Sequence, residues 1–501
     1  MRKSLQCIML LTSVLSVSLF GGKNIGVTKE IDNLREGVIC ALEGEAVYSD
    51  GFWVEENETV YLLDSYGCKV HEYVKKSSRE IALSAAVLPA DIISFGDNLY
   101  IFDDILYELQ IYTKQGELLT RSKIELKEDY VKGLQQTEDG VVVLTYKGQR
   151  IFVNPETGKQ KKLKKETEVM IEPAGYHYAE HIATDEEEKQ YSVHTMLVQD
   201  CSVLTGELTL RVASEEGELL GCYVLPVEEY LYLPGTYIQV LENGNIYLLV
   251  PTENAVEVRK ISLRTETQSR QNSISETAAS LERDYAADTR YRKRVGTACT
   301  EVIDLSRKEV FKRAKAMADY KWTLKKTHTR TSKSEAGVVL PREIAALQAG
   351  QEGSSWSVEI TGIPYCWGGF YALDVGFKNK NFEEVIEKGY VAGNINSEGY
   401  YKYMTAGLDC SGFVSAAFGF TSKQSTRGLS DLGSKISDVR KLEQMDILVQ
   451  PGEHIIFFCE WMDETNILVA EAAKREGRVI VHPKSLNELV VNGTYQMRSP
   501  W

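Results

Sequence analysis

The chain has 501 residues, too many for one ordinary domain, and its 43% hydrophobic and 26% charged content is that of a globular protein. A net charge of -15 excludes the broad basic surface that non-specific nucleic-acid binding needs. Nine cysteines are scattered without a Cys-x-x-Cys pair or clustering with histidine, which argues against a structural zinc site.

The N-terminus carries Arg2 and Lys3, an apolar run from Leu5 to Phe20, then Gly21-Gly22. That order of charged, apolar and small residues predicts a signal peptide over residues 1–22. Ser and Thr interrupt the run, which falls short of the roughly 20 apolar residues of a membrane span. Cys7 comes too early for lipoprotein cleavage. The expectation is a secreted or cell-envelope protein with no membrane span after cleavage.

Residues 38–263 read as short strands separated by turns. Val60–Asp64 is followed by Lys69–Val74, Asn98–Asp103 by Glu108–Tyr112, and Gly140–Leu144 by Gln149–Val153. Leu208–Val212, Asn245–Leu249 and Glu257–Ile261 continue the series. β-branched and aromatic residues bounded by turn chemistry mark strands. Repetition at a period of about 40 residues without helices predicts a β-propeller-like domain. It resembles propellers of six- to seven-bladed kinds, and a β-sandwich is the alternative. The charged stretch Lys161 to Gln190 reads as a long loop.

Residues 264–300 are rich in Ser, Thr, Gln and Glu and read as a helical linker. A further helix is expected from Ser306 to Lys325, with Val310, Ala314, Met317, Ala318 and Trp322 on its apolar face. Ser306 and Glu309 have the spacing of a capping box.

The chemistry lies in residues 301–501. Asp409-Cys410-Ser411-Gly412-Phe413 puts a cysteine in the first turn of an apolar helix, with Asp409 placed to cap it. The unpaired N–H groups there favour thiolate, the nucleophilic form. Upstream, Tyr365-Cys366-Trp367-Gly368-Gly369 combines glycines that allow close backbone approach with an aromatic wall for a groove. Downstream, His454 begins a strand directly after the turn Gln450-Pro451-Gly452-Glu453, and imidazole suits a general base for a thiol. Glu471 interrupts the apolar strand Ile467–Ala472 and is a candidate to orient the imidazole; His482 is its competitor. Cys366 and Cys459 read as packing residues. The segment Phe382 to Tyr403, with Tyr400, Tyr401 and Tyr403, is either a lid or a packed loop.

Tyr-x-Trp-Gly-Gly, then Asp-Cys-Ser-Gly-Phe, then a His-led strand resembles the NlpC-type cysteine peptidases of bacterial cell walls. The resemblance covers about Ser306 to Trp501. It implies a C-terminal α+β papain-like cysteine peptidase domain that hydrolyses peptidoglycan stem peptides, often between D-glutamate and the diamino acid. Cys410 would be the nucleophile, His454 the base, and Glu471 the third member, where many relatives have His or a neutral polar residue. Tyr365, Trp367, Asp409 and Ser411 would line the substrate groove, with Tyr365, Asp409 and Ser411 around the substrate's free amine. No metal or organic cofactor is implied. The partners expected are stem peptides and, for the propeller-like domain, a wall polymer or a protein. Rival readings are a non-catalytic wall-binding protein, and a thiol amidase or transferase acting on another amide.

Overall fold

The computed structural model describes residues 36–43, 48–163, 177–200, 203–261 and 303–501, leaving out residues 76, 127–128, 138–139, 253, 330–336, 350–354, 398–400 and 492–494. The signal-peptide region 1–22 and the linker 264–300 lie outside the described residues. Among the described residues, no helix is long and apolar enough to cross a membrane.

The N-terminal half is built from four-stranded antiparallel sheets. The first sheet comprises Phe52–Val54, Val60–Asp64, Lys69–Val74 and Ser77–Ala82. The second comprises Pro89–Phe95, Asn98–Asp103, Glu108–Thr113 and Leu118–Lys123. Val131–Thr137, Gly140–Thr145, Arg150–Val153 and Gln160–Leu163 form the third. His177–Thr184, Gln190–Asp200, Val203–Ala213 and Leu219–Val224 form the fourth. In the fifth, Ile238–Val240, Ile246–Pro251 and Ala255–Ile261 are completed by the N-terminal strand Glu36–Glu43.

Apolar clusters lie between four pairs of neighbouring sheets. Tyr61, Leu63, Ile92 and Leu99 join the first to the second; Ile93, Tyr100, Val141 and Ile151 join the second to the third. Leu208, Leu210, Ile246 and Leu248 join the fourth to the fifth. Phe52, Leu62, Tyr247 and Val258 join the fifth back to the first. This is a propeller-like arrangement, with the first described strand, Glu36–Glu43, locking the fifth sheet. Five such sheets are described, fewer than the six or seven of the propellers it resembles. The fourth sheet spends more residues, in two strands of 11 residues each.

Local chemistry explains the repeat. Asp64 and Asp103 end the second strands of the first two sheets, and each Oδ1 accepts two backbone N–H groups of the next turn. An aspartate that satisfies a turn in this way stops the strand and starts the reversal. The stretch read as a loop over Lys161 to Gln190 contributes ends to Gln160–Leu163 and Gln190–Asp200 and contains the strand His177–Thr184. Their polar sequences carry little apolar alternation.

Beyond residue 303 the chain forms a helix, Arg307–Ala318, with the capping box of Ser306 and Glu309 in place. The helix is shorter than its sequence pattern predicts. It ends at Ala318, and Lys321–Lys325 is a strand paired with Ser357–Thr361. Trp322 and Leu324 are buried there while Lys321, Thr323 and Lys325 are exposed. Period-two alternation wins over helical spacing at this point, and Trp322 Nε1 donates to the Gly362 carbonyl at 3.0 Å.

An antiparallel sheet follows in the order Tyr495–Ser499, Ile447–Gln450, His454–Trp461, Asn466–Ala473, Arg478–Ser485. The helix Cys410–Ala417 lies against His454–Trp461 and Asn466–Ala473. Both faces of this sheet are covered. Ile455 and Phe457 join the helix-side core, whereas Ile456 and Phe458 join a second core with Leu204, Leu486 and Leu489. Burial on both faces explains the unbroken apolar run of this strand. Backbone pairing of Val203–Ala213 with Tyr495–Ser499 carries the fourth propeller sheet into this one. Phe382–Glu387 is a helix with Phe382 fully buried, and Val391–Ala392 pairs with Thr405–Ala406. The described part of this segment is therefore packed.

Candidate functional site

Cys410 is the first residue of the buried helix Cys410–Ala417, and Asp409 is its N-cap. Asp409 Oδ1 accepts from the Gly412 N–H at 2.7 Å. Its Oδ2 accepts from the Gly368 N–H at 3.0 Å. One carboxylate thus ties the helix start to the Tyr365–Gly369 segment. The backbone adds to this: the Cys366 N–H donates to the Leu408 carbonyl at 2.9 Å, and the Leu408 N–H to the Pro364 carbonyl at 3.1 Å. Tyr365 is thereby brought beside Cys410. Burial, then the neighbouring Cys410 and Asp409, push the Tyr365 hydroxyl far above its ordinary value. Trp367 is half-buried against the same core.

Close approach of these segments depends on glycine. A Cβ at Gly412 would overlap the Gly369 carbonyl oxygen, which is backbone and cannot swing aside. The variant Gly412→Ala should therefore lose about 1–3 kcal/mol of stability through overpacking. A thermal melt unchanged from wild type would contradict the packing described.

His454 opens its strand, and the preceding turn is pinned by the Gly452 N–H donating to Thr426 Oγ1 at 2.8 Å. The Cys410 sulfur lies over this turn, 3.9 Å from the Glu453 carbonyl oxygen. His454 Nε2 donates to Glu471 Oε2 at 2.6 Å, so Nδ1 is the ring nitrogen left to exchange a proton with the thiol. Burial alone would lower the imidazole pKa. Hydrogen bonds to Cys410 and Glu471 outweigh it and raise the pKa from 6.5 to about 10.

Glu471 does more than touch His454. Its side chain is 3% exposed, and Oε1 accepts from His482 Nε2 at 2.7 Å and pairs with Lys484 Nζ at 3.2 Å. Burial would push the carboxyl up, but Lys484 and the two imidazoles hold it well below its ordinary range. Glu471 and His482 were competitors in sequence; here they are bonded to each other, and Glu471 is the one on His454. Adjacent strands produce this: Val469 pairs with His482, which places Glu471 diagonally across on the same face.

Other thiols are set apart by their surroundings. Cys366 is fully buried against Thr405, and burial pushes it up to about 12. Burial raises Cys459 and Cys40 further still. Such thiols are inert beside one that has an imidazole partner. Among the described cysteines, Cys40, Cys68, Cys366, Cys410 and Cys459 are free thiols. No group of three or more potential ligands stands ready for a metal ion among the described residues.

Two lysines belong to the site although no motif announces them. Lys484 charges the far side of Glu471. Lys423 Nζ sits 3.0 Å from Asp409 Oδ2 and 3.1 Å from Ser411 Oγ. The polar run that holds Lys423 resembles any surface loop in sequence.

Behind the site, a cavity of about 690 Å³ separates the propeller-like sheets from the C-terminal sheet. Asp50, Asp91, Asp104, Arg475 and His482 are among its walls, while Cys410 and His454 are not. It therefore reaches the far side of the Glu471 cluster without opening on the thiol.

No family model matches the chain, and no curated protein matches it. Similar solved structures include a virginiamycin B lyase from Staphylococcus aureus, at 11% identity over 43% of this chain and 67% of that one, with a TM-score of 0.24. A streptogramin B lyase is similar at 10% identity over 50% of this chain and 96% of that one, TM-score 0.29. The glutaminyl cyclase of Myxococcus xanthus is similar at 11% identity over 46% and 97%, TM-score 0.27. Likenesses this faint leave the fold resting on its sheet order and the chemistry on the residues themselves.

Proposed function

We propose that the protein is a secreted cysteine peptidase with a papain-like C-terminal domain, acting on amide bonds of peptidoglycan stem peptides. The observation that carries the reading is the chain from Cys410 through His454 to Glu471, with the thiol at a helix start and the carboxylate buried. In this reading Cys410 thiolate attacks the amide carbon and His454, as imidazolium, protonates the leaving amine. Water then attacks the acyl-enzyme, with His454 taking its proton. The Cys410 backbone N–H, at the helix start, would steady the oxyanion. The substrate class comes from the motif resemblance over about Ser306 to Trp501, and the D-glutamyl bond is the first to test. The propeller-like domain would bind a wall polymer or a protein partner.

The test is mass spectrometry of defined muropeptides incubated with wild type and with Cys410→Ala. Wild type should release fragments carrying a new amine, and Cys410→Ala should release none. Equal product from both would remove the thiol from the chemistry, and cross-linked products would shift the reading to a transferase.

A further inference from the structure

The thiol is flanked by a cation belonging to the protein itself. Asp409 Oδ1 accepts from the Gly412 N–H at 2.7 Å and from Ser411 Oγ at 3.1 Å. Its Oδ2 accepts from the Gly368 N–H and from Lys423 Nζ, each at 3.0 Å. An ionised carboxylate offers about four lone-pair sites, and all of those on Asp409 are taken. Lys423 also reaches Ser411 Oγ at 3.1 Å. Its charge is thus held by the two residues that flank Cys410 in sequence. The Asp409 side chain is 11% exposed and that of Lys423 22%, so the ammonium is sheltered yet not sealed from solvent.

Lys423 is held in place locally. The next residue, Gln424, donates its N–H to Ser415 Oγ at 3.0 Å, which fastens the loop to the Cys410 helix. Ser425 then caps the helix Thr426–Leu429. An ammonium on so short a tether competes with any free one at high effective concentration. A substrate ammonium arriving here would meet a positive charge and a carboxylate with no acceptor to spare.

Resting on the thiol-peptidase reading, we propose that Lys423 is a specificity-determining residue. It closes the Asp409–Ser411 cradle to substrate ammonium groups and selects stem peptides whose N-terminal nitrogen is acylated and uncharged. A stem peptide still joined to its glycan through its N-terminus has that chemistry; a released peptide with a free amine does not. The place that the sequence pattern gives to a substrate amine is occupied by the enzyme's own.

The experiment uses two stem peptides of one sequence, one with a free and one with an acetylated N-terminus. Wild type should give a kcat/KM about 10-fold or more higher on the acetylated peptide, since an ammonium repelled by Lys423 at the cradle is worth about that. Lys423→Met should shift the ratio toward the free amine, and Lys423→Arg, which keeps the cation, should hold the wild-type preference. A wild type that favours the free amine, or a ratio that Lys423→Met leaves unmoved, overturns the proposal. Calorimetry of both peptides on Cys410→Ala separates the two readings. Tighter binding of the acetylated peptide with no cleavage by wild type upholds the specificity and removes the peptidase reading. Binding of neither peptide, or tighter binding of the free amine, removes the specificity.

Discussion

Replacing Glu471 with Gln should lower kcat by about 10²–10⁴-fold, as for other buried carboxylates that hold a catalytic imidazole. The amide keeps the size of the side chain and its contact with His454, but loses the charge that favours imidazolium. The pH profile separates this from a packing defect. On the proposed mechanism His454 carries the proton given to the leaving amine, so activity is present below its pKa and falls as pH rises through it. With the pKa raised to about 10 by Cys410 and Glu471, the alkaline limb of wild-type kcat/KM should lie near that value. In Glu471→Gln one of the two raising influences is gone, and the limb should move to lower pH. A variant with reduced kcat but an unmoved alkaline limb would show that Glu471 acts only through packing. His482→Gln should have a smaller effect, because His482 bonds Glu471 and not His454.

The charge pattern around Glu471 explains how a buried carboxylate stays ionised beside His454. A lone buried carboxylate would take up a proton and cease to orient anything. Lys484, 12% exposed and shared with Glu488, keeps Glu471 ionised even when His454 is neutral. On the proposed mechanism the acid therefore stays charged while the imidazole and the thiol change state.

Much of this was legible in the sequence where one residue type had one physical use. Val60–Asp64 and Asn98–Asp103 are legible as strands because β-branched and aromatic residues fill them and turn residues bound them. Cys410 and His454 stand out because a thiol at a helix start and a histidine at a strand start are awkward choices for a core. The outer strands were harder. Ser77–Ala82 and Gln160–Leu163 are largely exposed, so no apolar period betrays them. Trp322 suited both a helical face and an alternating strand, and its pairing with the distant Ile360 settled the matter. Glu471 is favoured in sequence by its place on the strand after His454, but His482 stays a competitor because their relation depends on strand register, which two apolar runs leave open. Lys423 was invisible because its partners lie a helix away.

Removing Arg475 should be the most destabilising single truncation at the junction of the two halves. Arg475 lies in the turn between Asn466–Ala473 and Arg478–Ser485, the strands that carry Glu471 and His482. Its guanidinium pairs with Asp50 at the start of the first propeller sheet. It also lies over the Tyr48 ring, 5.1 Å from the centroid, and Tyr48 stacks between Tyr66 and Tyr232. Asp50 is 1% exposed, and burial raises it to about 7 even though Arg475 pulls it down. Arg475→Ala would leave that carboxylate buried without its cation, at a cost of about 3 kcal/mol, the low end for a buried pair because Arg475 is partly exposed. The sign with pH follows. A carboxyl raised above its unfolded value loses its contribution to stability as pH rises through the folded value, and removing Arg475 raises Asp50 further. The variant should therefore be more destabilised at pH 8 than at pH 5, where Asp50 can hold a proton. Asp50→Asn should relieve much of the loss in the double variant, since contacting residues do not add independently. Thermal melts of the three variants at both pH values measure this. Equal melting shifts at pH 5 and pH 8, or no relief by Asp50→Asn, would mean that Arg475 contributes by packing on Tyr48 and not through its charge.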